Sequence, residues 1–267
     1  MRLLLLTSTF QRHQYLINRA AERFDVVGVW QERKSFDPLR YAANAEDEQT
    51  IARHFTARDA SEADWFAGDR EVRLRAGVEH RTVPPAACNA REEIARMVTA
   101  RPDVVLVFGT GILRADLIDA FAGRILNLHL GLSPYYRGAG TNFWPLVNRE
   151  PEFVGATIHY LDAGIDTGPI IAHARPELRV DDRPHDIGNR TIVTGVDVLL
   201  RAAAQLSSGL AAVPQTDAGR VYQRKDFSAD AVRRLHQNFA SGMIPEYLAD
   251  RGARDARFSL QTLPADV

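Results

Sequence analysis

Asp103-Val104-Val105-Leu106-Val107-Phe108-Gly109 sets five consecutive apolar residues between an aspartate and a glycine. A run this short, rich in β-branched residues and closed by a small one, reads as a strand buried on both faces, as in parallel sheets. Upstream of it, Leu3-Leu4-Leu5-Leu6-Thr7 reads the same way. Residues 13–24 then carry Leu16, Ile17, Ala20 and Phe24 at helical spacing. Asp25-Val26-Val27-Gly28-Val29-Trp30 is a second β-branched run. A polar helical stretch over 45–68 has Ile51, Phe55, Trp65 and Phe66 as its apolar positions. A strand at 80–83 and a helix at 90–100 follow. Strands alternating with helices imply right-handed crossovers and a mostly parallel sheet covered on both faces. The expected fold is α/β, a Rossmann-like doubly wound sheet.

Downstream the style changes. Arg124-Ile125-Leu126-Asn127-Leu128-His129 is a strand running into a loop rich in Gly, Pro and Tyr. A helix at 141–148 follows, then strands at 154–161 and 169–174 joined by Asp162-Ala163-Gly164-Ile165-Asp166-Thr167-Gly168. A long helix runs over 184–207 with proline near its start, where a helix tolerates it. The expected organisation is a main domain over 1–208 and an extension over 209–267, made of a strand, a helix and a tail. The tail from residue 251 reads either as loosely packed or as crossing to a second subunit, which leaves a homodimer open.

Composition narrows the function classes. The 267 residues have a formal net charge of −1 and are 45% hydrophobic. Near-neutral charge argues against a phosphate backbone as main partner. The single cysteine, Cys88, excludes an intramolecular disulfide framework and cysteine-rich metal sites. Two lysines, Lys34 and Lys225, leave few candidates for Schiff-base chemistry. The four leucines near the start are too short for a signal-peptide core, and no run approaches the roughly 18 apolar residues of a membrane span. The expectation is a soluble cytoplasmic protein without a membrane partner.

Doubly wound sheets bind ligands at the carboxyl ends of their strands. The dinucleotide fingerprint is missing there: Thr7-Ser8-Thr9-Phe10-Gln11-Arg12 follows the first strand with no glycine. At the end of the 124–129 strand, alternation places Asn127 and His129 on one side and Leu128 in the core. An amide beside an imidazole suits a developing oxyanion; a histidine that merely bonds a loop carbonyl is the plainer alternative. Asp166 is either a turn former or a carboxylate that orients His129 and organises proton transfer. His129, His159 and His173 lack the close spacing of zinc ligands, so no metal is expected.

Taken together, Asn127-Leu128-His129-Leu130-Gly131-Leu132-Ser133-Pro134-Tyr135-Tyr136-Arg137-Gly138 resembles the Asn-x-His-x-Ser-Leu-Leu-Pro…Gly signature of the folate-dependent formyltransferases. The spacing to Gly155-Ala156-Thr157-Ile158-His159 and then to Asp166-Thr167-Gly168-Pro169-Ile170-Ile171 also matches. The close match covers residues 103–174. The resemblance implies attack of an amine on the formyl carbon of N10-formyltetrahydrofolate, with Asn127 and His129 holding the negative oxygen. It implies that Asp166 orients His129 and helps move the proton. It further implies that Phe108, Thr110, Gly111, Ile112 and Leu113 line the folate slot and that Asp162, Gly164 and Ile165 meet the pteridine. Leu130-Gly131-Leu132-Ser133-Pro134 departs from the usual Pro-Ser-Leu-Leu-Pro, and Thr110-Gly111 stands where bulkier residues are common.

Among the family's substrates, glycinamide ribonucleotide calls for a glycine-rich phosphate loop that 8–13 does not supply. Methionyl-tRNA calls for a further β-barrel domain that some 60 residues after Gly209 do not hold. Formyltetrahydrofolate hydrolases carry an extra N-terminal domain. The expected acceptor is a small amine, an amino-sugar nucleotide, with Arg12, Tyr135, Arg137 and Asn142 as its binding residues. Alternatives are a hydrolase releasing formate and a non-catalytic folate or nucleotide binder.

Overall fold

The structure, a computed structural model, describes all residues except 35, 165, 207–208, 216–218 and 265–267. Its elements in chain order are β1 (Arg2–Ser8), α1 (Gln11–Arg23), β2 (Asp25–Glu32), α2 (Ala45–Trp65), β3 (Glu79–Val83), α3 (Arg91–Thr99), β4 (Val104–Val107), α4 (Ala115–Ala120) and β5 (Ile125–His129). They continue with β6 (Tyr136–Gly138), α5 (Trp144–Val147), β7 (Ala156–Tyr160), β8 (Ile170–Ala174), α6 (Pro184–Gln205), β9 (Arg220–Tyr222), α7 (Ala229–Ala240), α8 (Met243–Ala249) and α9 (Arg251–Asp255).

Among the described residues, seven strands form one sheet in the order β3-β2-β1-β4-β5-β7-β8. All are parallel except β7, which runs antiparallel between β5 and β8. The chain order reverses between β1 and β4, the topological switch at which doubly wound sheets open a crevice. Leu3 to Leu6 are wholly buried because alternate side chains enter two different cores. Leu3 and Leu5 join the cluster under α1 and α6 with Leu106, Leu126 and Leu128. Leu4 and Leu6 join the opposite one under α3 and α4 with Val105, Val107, Ile125, Met97 and Leu117. Each such leucine contributes about 1.5–3 kcal/mol relative to exposure, so the register of β1 is strongly specified. In β5 the face carrying Ile125 continues with Asn127 and His129, where the strand leaves the core.

A third cluster joins the two sides of residue 208, which itself lies outside the described residues. Tyr136, Trp144, Leu146, Val147 and Val154 pack there with Ala231, Leu235, Met243, Ile244 and Tyr247. The join is also made by backbone, since β9 pairs in parallel with β6, Tyr136 opposite Arg220 and Gly138 opposite Tyr222. The Tyr222 ring stacks on Trp144 at 4.4 Å and on Tyr136 at 5.9 Å. The tail departs from the expected loose packing. Phe258 packs on Tyr135 and Phe153, and the Gln261 carbonyl accepts from the His173 amide at 2.7 Å. The helix expected at 141–148 shrinks to α5, because Thr141 and Asn142 spend their side chains on neighbouring loops (below). No described helix is long and apolar enough to cross a membrane.

Candidate active site

His129 and Asp166 converge at the carboxyl end of β5, with His129 Nδ1 3.3 Å from Asp166 Oδ2. His129 is 8% exposed. Its Nε2 lies 3.2 Å from Thr141 Oγ1. Thr141 gives its one hydroxyl proton to the Leu130 carbonyl, so its lone pairs face the imidazole. Each ring nitrogen therefore faces an oxygen able to accept a hydrogen bond. Gly131 leaves room for this contact: a Cβ there would stand 2.6 Å from Thr141 Oγ1 and 2.8 Å from His129 Nε2.

Asn127 is fixed from across the sheet. It sits opposite His159 in the β5–β7 ladder, with its Nδ2 2.9 Å from His159 Nε2. His159 Nδ1 lies 2.8 Å from the Tyr160 carbonyl. A carbonyl only accepts, so Nδ1 carries the proton and Nε2 accepts from the Asn127 amide. Burial pushes the His159 pKa down and keeps the ring neutral. Asn127 retains one free amide hydrogen with a set direction. Thr157, opposite His129, donates to the Gly131 carbonyl at 2.6 Å and accepts from the Ser133 amide at 2.9 Å, holding the loop after β5 in place.

Asp166 reaches the site from a left-handed backbone, φ 53°. Burial pushes its carboxyl up. The charge and hydrogen bond of His129, the nearby His159 and the Gly138 amide outweigh this and bring it below the usual carboxylate range. Asp162 shapes the same loop, its Oδ1 accepting from the Gly164 amide at 3.1 Å and from Thr167 Oγ1 at 2.8 Å. Ile165 lies outside the described residues.

The remaining expected residues divide. Thr110 and Gly111 are half-buried on the loop after β4. The Gly111 amide donates to the buried Glu32 at 3.2 Å, and Ile112 is 70% exposed. Phe108 and Leu113 instead join the two cores, and the Phe108 ring lies 4.7 Å from that of His13. Their apolar bulk is spent on packing. Arg12 is paired with Glu62 of α2, a partner fifty residues away that no local pattern reveals. Tyr135 packs on Phe153 and Phe258 and donates to the Ser259 carbonyl at 3.2 Å. Asn142 accepts from the Gly155 amide at 3.1 Å, and its own amide is buried without a partner. Arg137, on β6 beside Gly138, keeps a buried Nε without a partner. Thr141 and His159, which contact His129 and Asn127, were not among the expected residues. His159 belongs to a quoted motif, and its alternation with Thr157 was its only signal. Among the described residues, no group of three His, Cys, Asp or Glu side chains is arranged to hold a metal ion.

An amide, an imidazole and a carboxylate converging at the carboxyl edge of a doubly wound sheet are groups of the kind that attack at a carbonyl carbon calls for. Residues 2–203 match the Formyl transferase family, and the chain belongs to it. It is 34% identical over 142 residues to the methionyl-tRNA formyltransferase of Thermosynechococcus vestitus, covering 52% of this chain and 42% of that protein. It is 35% identical over 117 residues to that of Solibacter usitatus, covering 44% and 37%. The matched segment thus spans less than half of these relatives. The fold is shared with glycinamide ribonucleotide transformylase 1 from Symbiobacterium toebii (TM-score 0.54, 22% identity, 81% of this chain and 94% of that one). A sugar N-formyltransferase from a Shewanella species also shares it (TM-score 0.53, 18% identity, 85% and 78%).

Proposed function

We propose that this chain transfers a formyl group from N10-formyltetrahydrofolate to the primary amine of a small molecule, an amino-sugar nucleotide. The observation that carries the chemistry is the His129–Asp166 contact beside an Asn127 amide oriented by His159. As an amine adds to a formyl carbon, the formyl oxygen becomes negative. The free hydrogen on Asn127 Nδ2 and the His129 ring stabilise it in a buried site, where such donors count most. Asp166 holds the charge that His129 gains and helps carry the amine proton to the departing nitrogen. The donor is a substrate of this site. The exposed Ile112 offers its ring an apolar contact, and the loop that Asp162 shapes offers backbone groups.

For the acceptor, the supporting observations are Arg137, beside the residue whose amide faces Asp166, and the formal charge of −1. A guanidinium is suited to a diphosphate, whereas a tRNA acceptor calls for clustered cations. Methionyl-tRNA is the second reading, favoured by the names of the relatives above. Incubation with N10-formyltetrahydrofolate and, separately, a panel of amino-sugar nucleotides, glycinamide ribonucleotide or methionyl-tRNA distinguishes them, with formylated product read by mass spectrometry. Formylation of tRNA alone would replace the sugar reading. Rapid formate release without any acceptor would replace transfer with hydrolysis.

A further inference from the structure

After α6 the chain returns to the sheet. Val213 exchanges both backbone hydrogen bonds with Ile170 at the start of β8, each 2.8 Å. Two residues later the Gln215 side chain turns into the 162–168 loop. Its Nε2 donates to the Asp166 carbonyl at 2.8 Å and to the Gly168 carbonyl at 2.7 Å. Its own Oε1 is buried without a partner. The side chain thus leaves an acceptor unsatisfied while both amide hydrogens are used, an arrangement that only its donors explain.

The turn it grips needs holding. Asp166 is a non-glycine residue in the left-handed region, a conformation that persists only where its surroundings impose it. On one flank Gly168 is pressed against β7, where a Cβ would stand 1.7 Å from the Tyr160 carbonyl. On the other flank is Gln215. The same returning segment then forms β9, whose partner β6 presents the Gly138 amide to the Asp166 carboxylate. One stretch of chain past α6 therefore meets the Asp166 backbone directly and its carboxylate through β6.

We infer that Gln215 is a positioning residue for formyl transfer, clamping the turn that aims Asp166 at His129. This rests on the reading of Asp166 as the partner of His129. A further consequence is that activity depends on chain beyond α6, although the catalytic motifs lie before it.

The test compares the full chain with Gln215→Met, which keeps length and volume but has no donors, and with Asp166→Asn. The readout that needs no acceptor is the carboxyl carbon NMR titration of Asp166, assigned by its loss in Asp166→Asn. In Gln215→Met the Asp166 midpoint should rise by half a pH unit or more, because the carboxylate loses its alignment with His129. With N10-formyltetrahydrofolate and the amine it accepts, kcat should fall tenfold or more while both KM values stay within twofold. An unmoved Asp166 midpoint, or a kcat within twofold of wild type beside an inactive Asp166→Asn, overturns the clamp and leaves the site reading standing. A fully active Asp166→Asn overturns the site reading itself. Should Gln215→Met melt more than ten degrees early, Gln215→Glu carries the same test, having the same shape with acceptors in place of donors. The same losses are expected, and wild-type behaviour overturns the clamp.

Discussion

His159 faces Asn127 across the β5–β7 ladder, and the contact has a chemical direction: the ring accepts from the amide at 2.9 Å because its other nitrogen donates to the Tyr160 carbonyl. A rotatable amide becomes a fixed donor. His159→Phe keeps a ring of similar size and removes the acceptor. The expected result is a fall in kcat of about tenfold to a hundredfold, less than the hundredfold to thousandfold that outright loss of an oxyanion donor costs, because Asn127 stays in place, with KM for the formyl donor little changed. Steady-state kinetics decide it, and an unchanged kcat would show that Asn127 orients itself.

Gly131→Ala tests how tightly the other half of the site is packed. The new methyl would stand 2.8 Å from His129 Nε2 and 2.6 Å from Thr141 Oγ1, and one of them must move. A displacement near 1 Å costs about a hundredfold in rate where geometry limits the reaction. The variant should keep most of its thermal stability and lose kcat. Retention of both would mean that His129 can be displaced without consequence.

Arg137→Ala separates binding from chemistry. The side chain is only half-buried and keeps a buried Nε without a partner, so its removal should leave the melting temperature within about two degrees. The KM for an anionic acceptor should rise about tenfold or more, the loss expected of a charge-assisted contact, with the donor KM unchanged. An unaltered acceptor KM would remove Arg137 from the binding site.

Acid should weaken the packing of α2 against α6 and α7. Their contact includes His54, His185 and His236, with the His185 and His236 rings 4.8 and 5.8 Å from that of His54. Burial, with His185, His236 and Arg58 adding like charge, lowers the His54 pKa to about 3. Burial and Arg58 lower that of His185 to about 4, with His236 and Arg183 adding and Asp186 opposing. His236 is lowered by burial and then by Arg53. The folded values lie below the unfolded value of 6.5, so the unfolded chain binds these protons first. Stability is therefore full above about pH 6.5 and falls as pH drops toward 4 and 3. The slope is about 1.4 kcal/mol per pH unit for each proton. Urea midpoints at pH 7 and pH 5 should differ more for the wild type than for His54→Phe. Equal differences would discount the cluster.

The sheet was legible because a strand buried on both faces is an unbroken apolar run, and β1 and β4 have little else. Asn127 and His129 stood out as polar residues ending such a run. The expected partnership of His129 with Asp166 came from motif spacing, since 37 positions separate them and local pattern carries no such distance. The ladder register that pairs His159 with Asn127 had no local sign, and neither did the three-residue β6; a strand was expected in the extension, where β9 forms over Arg220–Tyr222, but its pairing with β6 was not readable. The ion pair of Arg12 was unreadable for a related reason. A basic residue at a helix start looks free until Glu62 of another helix is seen beside it. Gln215 was invisible, being one polar side chain in a loop.

The pairing of β6 with β9 joins residues as far apart as Tyr136 and Arg220, 84 positions along the chain. The β1–β4 pairing of the sheet spans still more, with Leu3 opposite Val104, so what sets the β6–β9 pair apart is that β9 lies beyond α6, late in the chain. During synthesis Asn127, His129 and Asp166 leave the ribosome before Gln215 and Tyr222 exist to hold them. The seven strands are complete in sequence at Ala174, the core on one face also needs Ile192, Val196 and Leu199 of α6, and Gln215 and β9 follow only after that. On the reading proposed above, the segment that holds the Asp166 turn is therefore synthesised after the strands that carry the expected catalytic groups.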